Sequence, residues 1–348
     1  MTAQRVLLTG HRGYVGSVMG PILRDAGHEV TGMDVDFYRG CDLLPLPDLA
    51  SIEKDIRDVT VDDLVGYDAI VHLAALSNDP IGNLNTAWTE SINHAATRRL
   101  ATLAREAGVR RFLFASSCIM YGLAEGADVD ERSPLNPQTD YARSKVDAEA
   151  DLAAMATDAF SPVLIRNGTM YGASPRMRFD TVLNSLVGSA LTTDRVTVLG
   201  DGEPWRPVVH VRDVARGFLA LLEAPRDLVH NEAYNLGTDA LNIRVRDLAA
   251  AVKRAVPQAD LEILSRPDAD QRTYRTSFAK FAAAFPDFRF EFTPETGAAE
   301  LASALSAAGL TEEQYRSDRF TRLKRLGHLI DSERLDAELR WRPAEVAA

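Results

Sequence analysis

The feature that most constrains this chain is a glycine-spaced turn between a buried strand and a helix near its start. Val6-Leu7-Leu8 is a short apolar run, and Thr9-Gly10-His11-Arg12-Gly13-Tyr14-Val15-Gly16 follows it with glycines spaced G-x-x-G-x-x-G. An apolar helical pattern then continues to Arg24. A strand that turns sharply into a helix needs a residue free to take unusual backbone angles, which glycine supplies. A second glycine lets the backbone approach phosphates, and a third lets helix and strand pack closely. The helix N-terminus adds free N–H groups and a partial positive charge, which suit a pyrophosphate. The spacing alone is compatible with a simple tight turn. Its place after a strand and before a helix points to a dinucleotide site, with Gly10, Arg12, Gly13, Tyr14, Val15 and Gly16 as its phosphate loop.

The following stretch keeps alternating. Glu29 to Asp34, Ala69 to Leu73, Arg111 to Ala115 and Val163-Leu164-Ile165 read as strands, with helical patterns such as Ile92 to Ala107 between them. This predicts an α/β fold, a Rossmann-type doubly wound parallel sheet with helices on both faces. After Gly172 turns become frequent, and Leu241 to Val256 and Ala298 to Ala308 read as helices. The expected organisation is a dinucleotide-binding domain over 1–172, with segments near 206–235 returning to it. A smaller mixed α/β substrate lobe covers 173–310, and a helical C-terminal extension covers 311–348. In that extension Arg319, Arg322, Lys324 and Arg325 read as a solvated face without chemistry.

Composition excludes several classes. With 39 Lys and Arg against 50 Asp and Glu, the net charge is −11, which disfavours general nucleic-acid binding. No run of 18 apolar residues predicts a membrane span, and the start of the chain lacks a signal-peptide pattern. Cys41 and Cys118 are the only cysteines, so neither a disulfide framework nor a metal site is expected, and a reduced cytoplasm is the default.

Two further features give the glycine turn a chemistry. Asp34 ends the second strand, 18 residues after Gly16. A carboxylate there accepts hydrogen bonds from an adenosine ribose and repels a 2′-phosphate, which favours NAD over NADP. Arg12 is the one residue of the loop that pulls the other way. Tyr141-Ala142-Arg143-Ser144-Lys145 then places a phenol and an ammonium four apart, on one face of a helix. A neighbouring positive charge lowers a phenol's pKa, so Tyr141 becomes a usable base near neutrality. Alone, such a pair is usually a surface feature. Here Ser117, at a strand end 24 residues earlier, can share the same substrate oxygen.

Together these stretches resemble the extended short-chain dehydrogenase/reductases, in the nucleotide-sugar epimerase/dehydratase group. Further matches are Asp55-Ile56, His72-Leu73-Ala74-Ala75, Asn93, Ser116 to Gly122, Gly200 to Asp213 and Arg266 to Lys280, in the family's order. The resemblance implies NAD as cofactor and a nucleotide-diphosphate sugar as substrate. It implies that Asp55 and Ile56 meet the adenine, and that Leu73, Ala74 and Ala75 lie along the cofactor. Asn93 is implied to support the site from its helix and to count among the cofactor-binding residues. Ser117, Tyr141 and Lys145 take the catalytic roles, with Lys145 also on the nicotinamide ribose. Arg206, Arg266 and Arg272 resemble the family's diphosphate-binding arginines, whose planar forks fit phosphate oxygens. A homodimer is implied as well.

The departures concern the substrate. The family usually shows R-x-F-N-x-Y-G where this chain has Arg166-Asn167-Gly168-Thr169-Met170-Tyr171-Gly172. Thr169 therefore stands at the usual substrate asparagine, and Asn167 lies two positions earlier. Pro207 follows Arg206 where an aspartate is common. The Asp-Glu pair that 4,6-dehydratases carry after the catalytic Thr is Cys118-Ile119 here. Ile119 transfers no proton, so an ordinary 4,6-dehydratase is disfavoured. Cys118 is either a small buried residue or an acid/base near the sugar. The expected activity is an NAD-dependent epimerisation through a transient keto-sugar, at C4. The alternatives are a dehydratase or 3/5-epimerase using Cys118, or a net NAD(P)H-dependent keto-sugar reductase.

Overall fold

The computed structural model describes residues 3–77, 85–122, 128–264 and 273–342. The first half supplies strands β1 (Arg5–Thr9), β2 (Glu29–Asp34), β3 (Ser51–Glu53), β4 (Ala69–His72), β5 (Arg111–Ser117), β6 (Asp128–Val129) and β7 (Ser161–Asn167). The second supplies β8 (Thr169–Tyr171), β9 (Arg195–Leu199), β10 (Trp205–His210), β11 (Glu232–Leu236), β12 (Asn242–Arg244), β13 (Asp260–Leu264) and β14 (Arg275–Thr276). The helices used below are α1 (Gly16–Asp25), α2 (Ala96–Glu106), α3 (Asp140–Ala154), α4 (Val182–Thr193), α5 (Val211–Glu223), α6 (Val245–Ala255), α7 (Pro294–Ala307) and α8 (Arg322–Asp331).

Seven strands form one parallel sheet in the order β11-β7-β5-β4-β1-β2-β3. Successive residues of each strand face opposite sides. Val6, Leu8, Val71, Leu113, Val163 and Ile165 pack on one side against Met19 and Leu23 of α1 and Phe218 and Leu221 of α5. Leu7, Ile70, Phe112, Phe114 and Leu164 pack on the other against Leu100 and Ala104 of α2 and Leu152 of α3. Both faces are covered, which is why the strands read as unbroken apolar runs. Strand order reverses between β1 and β4, so the loops leaving their carboxyl ends diverge and open a crevice there.

The expected strand at Arg111 to Ala115 runs two residues further, bringing Ser116 and Ser117 to the sheet end. The expected helix from Ile92 is interrupted by a wide π turn at Glu90–Ala95 before α2 begins. In the second half, β12-β10-β8 and β13-β9 form small sheets. Around them α4, α6 and α7 enclose a separate core that includes Leu183, Val187, Leu248, Val252 and Leu301. Meanwhile α5 packs against the large sheet and β11 joins its edge.

The C-terminal segment is not a solvated helix. After a short helix at Glu312–Arg316 comes α8, and Leu335 and Trp341 then form an isolated bridge. Leu326, Leu329, Leu335 and Leu339 pack on Phe37, Ile56, Leu76 and Ile92. The Trp341 Nε1–H donates to Val35 O at 2.7 Å. Arg322, Leu326 and Leu329 share one helical face at i, i+4 and i+7. Because that face meets the body, Arg322 is only 3% exposed. Lys324 remains exposed, so the expectation of a uniformly solvated basic face is corrected at Arg322.

Candidate active site

A cleft of about 510 Å³ opens at the carboxyl ends of β1 and β4. It is lined by Gly10, Arg12, Gly13, Tyr14, Val15, Gly16, Asp34, Asp55, Ile56, Leu73, Ala74, Ala75, Ser117, Tyr141, Lys145, Asn167, Thr169 and Arg206. Arg266 and Arg272 lie outside the described residues.

The glycine turn is tight because its neighbours leave no room. Gly10 has φ +74°, and a Cβ there would sit 2.8 Å from Ala74 N. Its N–H donates to Met33 O at 2.8 Å, and its carbonyl accepts from the Gly13 N–H at 2.9 Å. A Cβ on Gly16 would come within 2.2 Å of Gly10 O. Gly16→Ala is therefore expected to cost about 2 kcal/mol or more in stability and to weaken NAD binding at least tenfold, read by thermal unfolding and calorimetry. The residues fit a dinucleotide. Val15 at the N-cap of α1 makes no side-chain cap, and no acidic residue stands in the first turn, so the helix end is open to an anion.

At the ribose end, Asp34 accepts the Arg12 N–H at 2.9 Å and the Asp36 N–H at 2.7 Å. Burial pushes its carboxyl up from the usual range. The Arg12 guanidinium turns away to Asp36 Oδ2 at 2.9 Å and lies 3.9 Å from Glu53. It is thus engaged by carboxylates, which disfavour a 2′-phosphate. Asp55 caps a short turn, accepting the Arg57 N–H at 2.8 Å and pairing with that guanidinium at 2.6 Å.

At the chemical end, Ser117 closes β5, its Oγ accepting the Ile119 N–H at 3.3 Å. Tyr141 and Lys145 ride on the first turns of α3, which Thr139 caps through the Ala142 N–H. The Lys145 Nζ donates to Ala115 O at 2.7 Å and lies 5.7 Å from the Tyr141 ring centroid. Lysine here is 3% exposed. Burial lowers its pKa from 10.5 to about 7, with the Glu149 charge acting in the opposite sense. Glu149 is itself clamped by Arg166, Nη2 to Oε2 at 2.7 Å. His72, buried between the Thr9 and Thr97 hydroxyls at 2.7 and 2.8 Å, is pushed down to about 3 by burial and by Lys145.

Two candidates are placed differently from expectation. Cys118 is fully buried and does not line the cleft; its Sγ–H donates to Arg166 O at 3.3 Å. Burial pushes the thiol up to about 12, so it is not an acid/base for a ligand in the cleft. The chain turns at Ser117, which packs Cys118 with Tyr121, Val129 and Tyr274 and leaves Ile119 on the cleft wall. Cys118→Ala is expected to hold turnover within about threefold while costing about 1 kcal/mol of stability, measured by initial rates and urea unfolding. Asn93 is also buried away from the cleft. Its Oδ1 accepts the Leu76 N–H at 2.8 Å and its Nδ2 donates to Leu76 O at 3.0 Å. It clamps the backbone that follows Ala74 and Ala75 and does not line the cleft.

Asn167 donates to Ser116 O at 2.9 Å and Ile165 O at 3.0 Å, leaving Oδ1 buried beside the cleft without a partner among the described residues. Thr169 begins β8, and Arg206, on β10, donates to Trp205 O at 2.9 Å. Tyr38, Arg178, Asp180 and Arg322, to which the sequence assigns no site role, also line the cleft. No short motif marks them, and only the return of the C-terminal segment brings Arg322 there.

The sequence pattern of the NAD dependent epimerase/dehydratase family matches residues 6–237. The chain belongs to this family. A dTDP-glucose 4,6-dehydratase of Streptomyces niveus is 31% identical over 262 residues, covering 70% of this chain and 76% of that protein. A UDP-glucose 4-epimerase of Corynebacterium glutamicum is 28% identical over 251 residues, 67% of this chain and 75% of that one. The structure of MoeE5 in complex with UDP-glucuronic acid and NAD superposes with a TM-score of 0.76 at 27% identity, covering 87% of this chain and 99% of that chain. This family member is an enzyme, and its cofactor is NAD. Among the described residues, no helix is long and apolar enough to cross a membrane.

Proposed function

We propose that this enzyme is an NAD-dependent nucleotide-sugar 4-epimerase working through a transient keto-sugar. The observation that carries the reading is the wall after Ser117. Ile119 faces the cleft and Cys118 is buried behind it, so neither supplies the acid that loss of a sugar hydroxyl requires. Bound NAD supplies reversible hydride exchange. Tyr141 takes the proton of the C4 hydroxyl and later returns it to the ketone oxygen, with Ser117 hydrogen-bonded to the same oxygen. Lys145 holds the phenolate by its charge. Arg206 takes the diphosphate of the sugar nucleotide, and Asn167 and Thr169 meet the sugar. Two copies of the chain pair as a homodimer in this reading. The likeness to a UDP-glucose 4-epimerase supports it.

The test is to follow UDP- and dTDP-hexoses with purified protein by NMR. Conversion to the C4 epimer without NAD(P)H consumption is expected. Accumulation of a 4-keto-6-deoxy product, solvent deuterium at C3 or C5, or stoichiometric NAD(P)H use would each overturn it. Light scattering checks the dimer.

A further inference from the structure

We propose that Arg322, carried by the C-terminal helix α8, and Arg178 form a second cationic wall for the cofactor's diphosphate, opposite the glycine turn. The inference concerns cofactor binding and does not depend on which sugar carbon reacts.

Both arginines line the same cleft as Gly10 to Gly16. Arg178 reaches across it. Its guanidinium donates to Ser77 Oγ and Ser77 O, both at 3.2 Å, beyond the Leu73 to Leu76 wall. Its own carbonyl accepts from Asn184 Nδ2, which also donates to the Tyr14 hydroxyl of the glycine turn at 3.1 Å. Arg178 thus ties both sides of the cleft together at the level of the phosphate loop. Arg322 sits beside it, with Cζ 3.9 Å from the centroid of Tyr38. Tyr38 follows Asp34 by four residues, which puts Arg322 at the cofactor end of the cleft. Arg206, the candidate arginine for the sugar nucleotide, comes from β10 instead.

The charge arrangement calls for an anion. Asp36 and Asp42 pair with Arg176 at 2.9 and 2.7 Å, and Asp180 pairs with Arg178 at 2.6 Å. Among the described residues no carboxylate lies within ion-pair distance of Arg322. Its Nη2 donates to Arg176 O at 3.1 Å, but its Nη1 is buried without a hydrogen-bond partner among the described residues. Burial and the Arg178 and Arg176 charges lower its pKa, with Tyr38 and Asp180 acting the other way. A buried guanidinium with an unmatched N–H, facing a like charge, is a poor structural element. It is well suited to an anion, which matches its donors and screens the repulsion. The segment that delivers it is fastened over the adenosine half of the cleft. Besides the Trp341 bond to Val35, Arg57 donates to Glu338 O at 2.7 Å and Leu339 O at 3.1 Å.

The experiment titrates apoprotein with NAD, ADP-ribose and UDP by calorimetry, for the parent and for Arg322→Met, Arg322→Lys and Arg178→Gln. Loss of a charge-assisted contact to phosphate is worth roughly tenfold or more in affinity. Arg322→Met should lose that much for both NAD and ADP-ribose, with a shallower salt dependence and faster NAD release. UDP binding should stay within about twofold. Arg322→Lys should fall between parent and Met variant. Methionine keeps the apolar contact with Tyr38; if that variant still fails to fold, Arg178→Gln alone must show the NAD and ADP-ribose loss. The proposal is overturned if NAD and ADP-ribose affinities stay within twofold of the parent. It is equally overturned if UDP affinity falls while NAD affinity holds, which would assign the arginines to the sugar nucleotide.

Discussion

Tyr141→Phe is expected to lower turnover by about a thousandfold while NAD affinity stays within about threefold. Removing one positioned proton-transfer group typically forfeits 10²–10⁴ in rate. The ring remains, so its place on the first turn of α3 and its distance to Lys145 are kept. Among the described residues, Ser117, Lys145 and Cys118 do not replace the lost oxygen as proton carriers. The Ser117 hydroxyl is far less acidic than a phenol and already accepts the Ile119 N–H. The Lys145 ammonium is held by Ala115 O, and Cys118 is fully buried and does not line the cleft. Sugar interconversion followed by NMR gives the rate, and calorimetry gives NAD affinity. Turnover near that of the parent would refute the assignment of the base. Loss of NAD binding along with turnover would show that Tyr141 serves the cofactor site and not the proton.

Much of this site was legible in the sequence because its decisive features are local. The strand, glycine turn and helix from Val6 to Arg24 are contiguous, and the close approach that requires glycine at position 16 lies within the loop itself. Tyr141 and Lys145 share a helical face by spacing alone. What stayed hidden depends on contacts between distant segments. Cys118 and Ile119 are adjacent, yet the turn at the end of β5 sends one into a buried network with Arg166 and the other onto the cleft wall. The π turn around Asn93 takes its amide to the Leu76 backbone, a partner 17 residues away. The basic stretch around Arg322 reads as a solvated face because charge usually seeks water. Its burial becomes visible only once Leu326 and Leu329 are seen packing on Phe37 and Ile92.

Lys145→Met is the substitution whose two effects run in opposite directions. Burial lowers the lysine pKa in the folded protein from 10.5 to about 7. Between those values the unfolded chain holds the proton more tightly than the folded one. Stability contributed by this position therefore rises with pH from about 7 toward 10.5, and the cost of the buried group is fully present below about 7. Each pKa unit corresponds to about 1.4 kcal/mol, so the cost near pH 7 has an upper bound of about 5 kcal/mol. Methionine fills a similar volume without charge. It leaves Ala115 O without its lysine donor, which returns about 1–3 kcal/mol of that gain. A net stabilisation of about 2 kcal/mol at pH 6.5–7 is expected, shrinking by pH 9.5, from urea unfolding of the ligand-free protein across that range. The same variant should lose turnover by 10²–10⁴, because a phenolate forming at Tyr141 during proton transfer then has no ammonium beside it. A lysine kept only for packing or solubility would show neither the gain nor its decline with pH. A stabilisation that grows as pH rises would mean that Lys145 does not bear the burial cost.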